Sequence, residues 1–176
     1  KRQALIAQME KEKTEAEKKK IKELTDNLDA IRNTLFDITS NYYYKPVSFD
    51  SVVHDTDQLM ARLDEIEAKW GESAETNYLR GRIHYLLGEY DKSLRFFEQA
   101  LKKNTEHEWA IIYRARSFLE KTIYEAYFSY RIGSSENAMD YVSMMLGKIK
   151  TDLEKLAGMK VEHTKEKEFK YVEACL

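Results

Sequence analysis

Arg82 and Arg116 stand 34 positions apart, and each keeps apolar or aromatic company: Tyr78 and Tyr85 around the first, Trp109 and Ile112 ahead of the second. A guanidinium beside aromatic rings is suited to recognition rather than to making or breaking bonds. Its fork pairs bidentately with a carboxylate, and its flat face stacks on rings. Helical spacing of i, i+4 and i, i+7 places Tyr78, Arg82 and Tyr85 on one helix face, and Trp109, Ile112 and Arg116 on the corresponding face of a second helix. These six residues form the candidate partner-binding groove, and its chemistry fits an acidic peptide or a peptide carboxyl terminus. The competing reading makes the aromatics core and pairs the arginines internally with Glu75, Glu120 or an acid of a neighbouring helix. Alanine at both arginines is expected to weaken partner capture without unfolding the domain.

Reaction chemistry finds little support. The histidines are His54, His84, His107 and His163, and no two of them lie three or four residues apart, so none share a helical face at metal-ligand spacing. His107 has Glu106 and Glu108 beside it, but sequence neighbours point to different faces of a helix. Gly81 and Gly88 fit neither the dinucleotide fingerprint nor the phosphate loop ending in Gly-Lys-Ser/Thr. Ser134, Ser135 and Cys175 have no identifiable base, and are read as a helix cap and a tail thiol. The expectation is therefore a protein that is not an enzyme, with no catalytic residue, no metal and no cofactor.

Composition narrows the class further. The chain has 176 residues, one proline, six glycines, 34% charged and 43% hydrophobic residues. Turn formers this sparse argue for a helical protein, and about 70% of the unfolded surface can be buried at such a length. A formal net charge of −2 exerts no global pull on nucleic acid, so no such partner is expected. No uninterrupted apolar run is long enough for a membrane span. The single cysteine, Cys175, allows no internal disulfide, and a reducing, cytoplasmic setting fits. Because the chain opens on Lys1, it is expected to be a piece of a larger, multidomain protein.

The elements that carry these residues follow from periodicity. Residues 1–20 form a charged helical extension, with seven lysines and arginines against four glutamates. Residues 21–70 form a helical hairpin. Ile21, Leu24, Leu28, Ile31, Leu35 and Ile38 make one apolar stripe, and Val52, Thr56, Leu59, Leu63, Ile66 and Trp70 make the other. The first helix should end near Tyr44, ahead of Pro46, and the second at Gly71. Residues 74–158 then hold four further helices, broken at Gly88, near Thr105, at residues 132–136 and at Gly158. Within them Tyr78-Leu79-Arg80-Gly81-Arg82 and Ile112-Tyr113-Arg114-Ala115-Arg116 repeat one pattern at the 34-residue offset, the mark of stacked helical hairpins. Residues 159–176, with Val161, Phe169, Val172 and Leu176, read as a tail or the start of a further domain.

Gly81, Tyr85, Gly88, Tyr90, Phe97 and Ala100 together resemble the tetratricopeptide repeat (TPR) over residues 74 to 120. Asn77, Arg80, Ser93 and Thr105 depart from that pattern, in places where the family often has tryptophan, leucine, alanine and proline. The second unit also departs, since Thr122 to Arg131 contains no helix breaker and its first helix should run on to Arg131. The resemblance implies an all-α fold of antiparallel helical hairpins stacked as a short TPR-like solenoid, led by an N-terminal charged helix, with the hairpin of residues 21–70 as its neighbour or cap. It also implies a noncatalytic scaffold that binds a peptide or helix of a protein partner. The alternatives are a coiled-coil oligomerisation or spacer module built on the first 45 residues, and a helical accessory region of an enzyme or signalling protein. Tyr124, Tyr127, Phe128 and Tyr130, with Met139, Met144 and Met145, are read mainly as core between the last two helices, and otherwise as a homodimer surface.

Overall fold

Two glycines at positive φ, Gly71 and Gly88, mark two of the breaks between helices. The computed structural model describes residues 2–44, 48–132 and 138–159, together with positions 170, 172 and 174. Among the described residues the elements are α1 (Arg2–Tyr44), α2 (Phe49–Trp70), α3 (Ala74–Leu86), α4 (Tyr90–Lys103), α5 (Glu108–Ile132) and α6 (Ala138–Ala157), with no strand. They fall into two compact units, Lys1–Gly71 and Glu72–Leu176.

In the first unit α1 and α2 pack together within the chain. Leu28, Ile31, Leu35 and Ile38 of α1 are buried, as are Val52, Thr56, Leu59, Leu63 and Ile66 of α2. Ser48 caps α2 by accepting the Ser51 amide, and Gly71 ends it at φ 84°. Lys69 donates to Glu23 across the hairpin at 2.5 Å. The α1 stripe is shorter than its spacing predicts. Ile21 is 66% exposed and Leu24 only half-buried, because α1 is nearly twice as long as α2 and runs past it. Residues 13–20 are exposed throughout, as a sequence without strong apolar residues requires.

In the second unit each helix packs on the next: α3 on α4, α4 on α5 and α5 on α6, with α3 also reaching α5. Gly81 sets the closest approach. A methyl group there would lie 2.5 Å from Cε1 of the buried Phe97 ring, so α3 and α4 touch only because position 81 has no side chain. Gly88, at φ 74°, closes the turn: its amide donates to the Tyr85 carbonyl and that of Glu89 to the His84 carbonyl, the paired bonds of a Schellman motif. Ser93, where the family often has alanine, has its own reason. Its hydroxyl meets that of Ser117 at 3.0 Å, and Ser117 in turn donates to the Tyr113 carbonyl, so α4 and α5 share a satisfied buried polar pair.

The second hairpin is longer than the first. Its core joins Leu94, Ala115, Phe118, Leu119, Met145 and Ile149 to Val172, which is fully buried. Val172 therefore belongs to this unit rather than to a detached tail; the Ser134 and Ser135 cap lies outside the described residues. Arg114 and Asp152 tie α5 to α6. Nε donates to Oδ2 at 3.0 Å and Nη2 to Oδ1, and Asp152 is 2% exposed. Burial holds the Asp152 carboxyl above its ordinary value, with the Arg114 hydrogen bonds and charge opposing. This carboxyl thus binds its proton more tightly folded than unfolded, and its contribution to stability falls as pH rises through that elevated range. Replacing Arg114 with alanine strands the carboxylate and should cost about 3–5 kcal/mol at neutral pH. Urea titrations at descending pH should show part of that loss regained in Arg114→Ala as Asp152 takes up a proton, and no regain once Asp152→Asn is added. A loss unchanged by pH would contradict the pairing.

Candidate functional site

The face that carries the arginines is built from the starts of two helices. Ser73 opens α3 with a reciprocal capping box: its hydroxyl accepts the Thr76 amide at 3.0 Å, and the Thr76 hydroxyl accepts the Ser73 amide at the same distance. His107 opens α5. Its Nδ1 accepts the Ala110 amide at 3.2 Å, which leaves Nε2 as the protonated nitrogen of the neutral ring, and Nε2–H donates to the Glu75 carboxylate at 3.0 Å. One imidazole thus caps α5 and bonds to the first turn of α3. The sequence setting of His107 between two glutamates hides this, because the acid it uses lies 32 residues earlier.

At the centre of the face is the ring of Tyr113, only 7% exposed. Ring centroids surround it at 5.6 Å for Tyr85, 6.1 Å for Trp109 and 6.2 Å for Tyr78 and Phe97, with the Tyr85 and Tyr78 contacts edge-on. Both guanidiniums lie against this ring. Arg82 sits 3.9 Å from its centroid and Arg116 5.3 Å, and Arg116 also lies 5.4 Å from Tyr85. Arg82 further donates from Nη1 to the Tyr78 hydroxyl at 2.9 Å. Burial pushes the Tyr78 phenol up to about 12, with the Arg82 charge opposing. For Arg82, burial works against the charge, but the Tyr78 and Tyr113 oxygens outweigh it and raise the guanidinium above its ordinary value.

The six groove candidates separate into two sets. Arg82, Tyr85, Trp109 and Arg116 are half-buried and gather around Tyr113. Tyr78 and Ile112, at 1% and 0% exposure, are inside the core, where a partner cannot touch them. These two occupy equivalent places 34 residues apart, so the repeat holds while their placement on the open face does not. Tyr113 is the residue that spacing should have chosen. It lies four after Trp109 and three before Arg116, on the same helical face. Glu75, a candidate internal partner of the arginines, bonds His107.

Other clusters are structural. His84 bonds Glu89 at 2.6 Å and stacks on Phe96 at 5.2 Å, which closes the α3–α4 turn. Among the described residues no three histidines, cysteines or acids gather to hold a metal, and no helix is long and apolar enough to cross a membrane. The first unit has a cleft of about 220 Å³, lined by Glu23, Asn27, Arg62, Glu65, Ile66, Lys69 and Trp70, with Lys69 over the Trp70 ring at 4.2 Å. The late aromatic and methionine group is mostly not core. Tyr124, Tyr127, Phe128, Met139 and Met144 are at least half exposed and only Met145 is buried, while the Tyr130 side chain lies outside the described residues.

Comparison with known proteins agrees with this geometry. Residues 74–107, which span α3, α4 and the approach to α5, match the family model of the tetratricopeptide repeat. With its helices packed pairwise along the chain, the protein carries a TPR-like helical repeat. No curated protein and no solved structure matches it.

Arg82→Ala removes the hydrogen bond to the buried Tyr78 hydroxyl and should cost about 1–3 kcal/mol in a urea titration. A stability equal to that of the parent would contradict the contact.

Proposed function

We propose that this protein is a noncatalytic scaffold that captures an acidic peptide or helix of a protein partner on the α3–α5 face. Tetratricopeptide repeats generally serve protein–protein interaction, and the match at residues 74–107 supports that broad role. The observation that carries the finer reading is the convergence of two arginines, one from each hairpin, on the single Tyr113 ring. Their positions are set before any ligand arrives, because the ring beneath them is buried and braced by Tyr78, Tyr85 and Phe97. Less side-chain freedom is then lost on binding, and a carboxylate meets two cations at once. Half-buried Tyr85 and Trp109 beside them provide the flat apolar surface that peptide recognition concentrates in a few residues.

Selection from a displayed peptide library containing acidic, neutral and basic members tests this directly. Acidic sequences should be enriched, and a remade acidic peptide should bind Arg116→Ala at least tenfold more weakly, with the helical signal of the folded variant unchanged. Enrichment of neutral or basic peptides, or equal affinity for the variant, would overturn the reading.

A further inference from the structure

Beyond Lys121, α5 leaves the first hairpin behind. Lys121 pairs with Asp91, in the first turn of α4, at 2.5 Å, while α3 ends at Leu86. Apolar residues that follow are open to solvent. Ile123, Tyr124, Tyr127 and Phe128 are 56%, 64%, 63% and 55% exposed, and a shallow cleft of about 210 Å³ lies among Tyr124, Glu125, Phe128 and Ser129. Their spacing puts all four apolar side chains on one stripe of the helix, and soluble proteins seldom leave such a stripe uncovered.

The order of residues along this stripe identifies the cover. Outward from the midpoint between Glu125 and Ala126 come Tyr124 and Tyr127, then Ile123 and Phe128, then Glu120 and Arg131. The stripe is palindromic in chemical type, aromatic against aromatic and apolar against apolar, and it ends in an acid at one side and a base at the other. A two-fold axis through the midpoint lays a second α5 antiparallel to the first and matches every position to its mirror. Tyr124 then faces the partner's Tyr127, Ile123 faces the partner's Phe128, and Glu120 takes the register position of the partner's Arg131. An isologous interface demands this self-complementarity, whereas a groove for an unrelated peptide does not. The area is also sufficient for a reversible contact. Aromatic side chains bury about 150–250 Å² each, so the uncovered part of this stripe in two copies amounts to about 800–1,200 Å², which reaches the lower edge of specific interfaces.

We propose that a second copy of this chain docks on α5 between Glu120 and Arg131, with the two helices crossing antiparallel about an axis between Glu125 and Ala126. This surface is separate from the arginine face, and neither proposal requires the other. Sedimentation equilibrium of the 176-residue chain from about 1 to about 200 μM, the affinity range an interface of this size supports, should show a monomer–dimer equilibrium. Tyr127→Glu and Tyr124→Lys should each weaken dimerisation at least tenfold while circular dichroism stays unchanged. The two combined should associate at least threefold more tightly than either alone, since the two-fold axis sets each new lysine against the partner's new glutamate. A monomer across the whole range, a dimer indifferent to Tyr127→Glu, or a double variant no tighter than the single ones would each overturn the proposal.

Discussion

The packing of one ring, Tyr113, against the preceding hairpin is the contact on which the second unit turns. Tyr113 belongs to α5, yet Tyr78 and Tyr85 of α3 and Phe97 of α4 all lie against it, and both arginines take position from it. The slot exists because Gly81 lets Phe97 come up against the α3 backbone. A larger residue at 81 would displace Phe97 and disturb the floor on which Tyr113 rests. Backbone permissiveness at one position thus sets the geometry of one guanidinium on its own helix, Arg82, and of another on α5, Arg116.

Order at this face comes from burial below and openness above. Tyr78, Ile112 and Tyr113 are buried, and they fix the half-buried Arg82, Tyr85, Trp109 and Arg116 from beneath. The helix starts are pinned as well, by the capping box of Ser73 and Thr76 and by His107, which serves α3 and α5 at once. Further along, α5 changes character. Its first half packs on α3, α4 and α6, but past Lys121 apolar side chains face outward. One continuous helix therefore presents two surfaces of different chemistry, a cationic and aromatic one followed by an apolar one.

Local rules were enough to read the architecture from the sequence. Gly71 and Gly88 ended helices at positive φ, Gly81 sat at a close helix approach, and the absence of a breaker after Thr122 carried α5 on to Ile132. Helix bounds in the repeats are therefore set by residues a few positions away. Contacts between distant residues left no such trace. The pairings of His107 with Glu75 and Arg114 with Asp152 depend on how hairpins dock, and neither has a periodic signature. Helical spacing puts Ile112 on the face of Trp109 and Arg116, but Ile112 and its counterpart Tyr78 are core, and the neighbouring Tyr113 fills the place. Ile21 and the group from Tyr124 to Met144 failed in another way. Periodicity reports that a face is apolar and not whether a neighbouring helix is long enough to cover it.

The central claim, that Tyr113 physically couples the two hairpins through the Arg82 guanidinium, is tested most directly by a double-mutant cycle on folding free energy with Arg82→Ala and Tyr113→Leu. Cation–ring contact at 3.9 Å in a partly buried setting predicts a coupling of about 0.5–2 kcal/mol. Additive losses, with coupling indistinguishable from zero, would show that the ring and the guanidinium are neighbours without interacting, and would contradict the account.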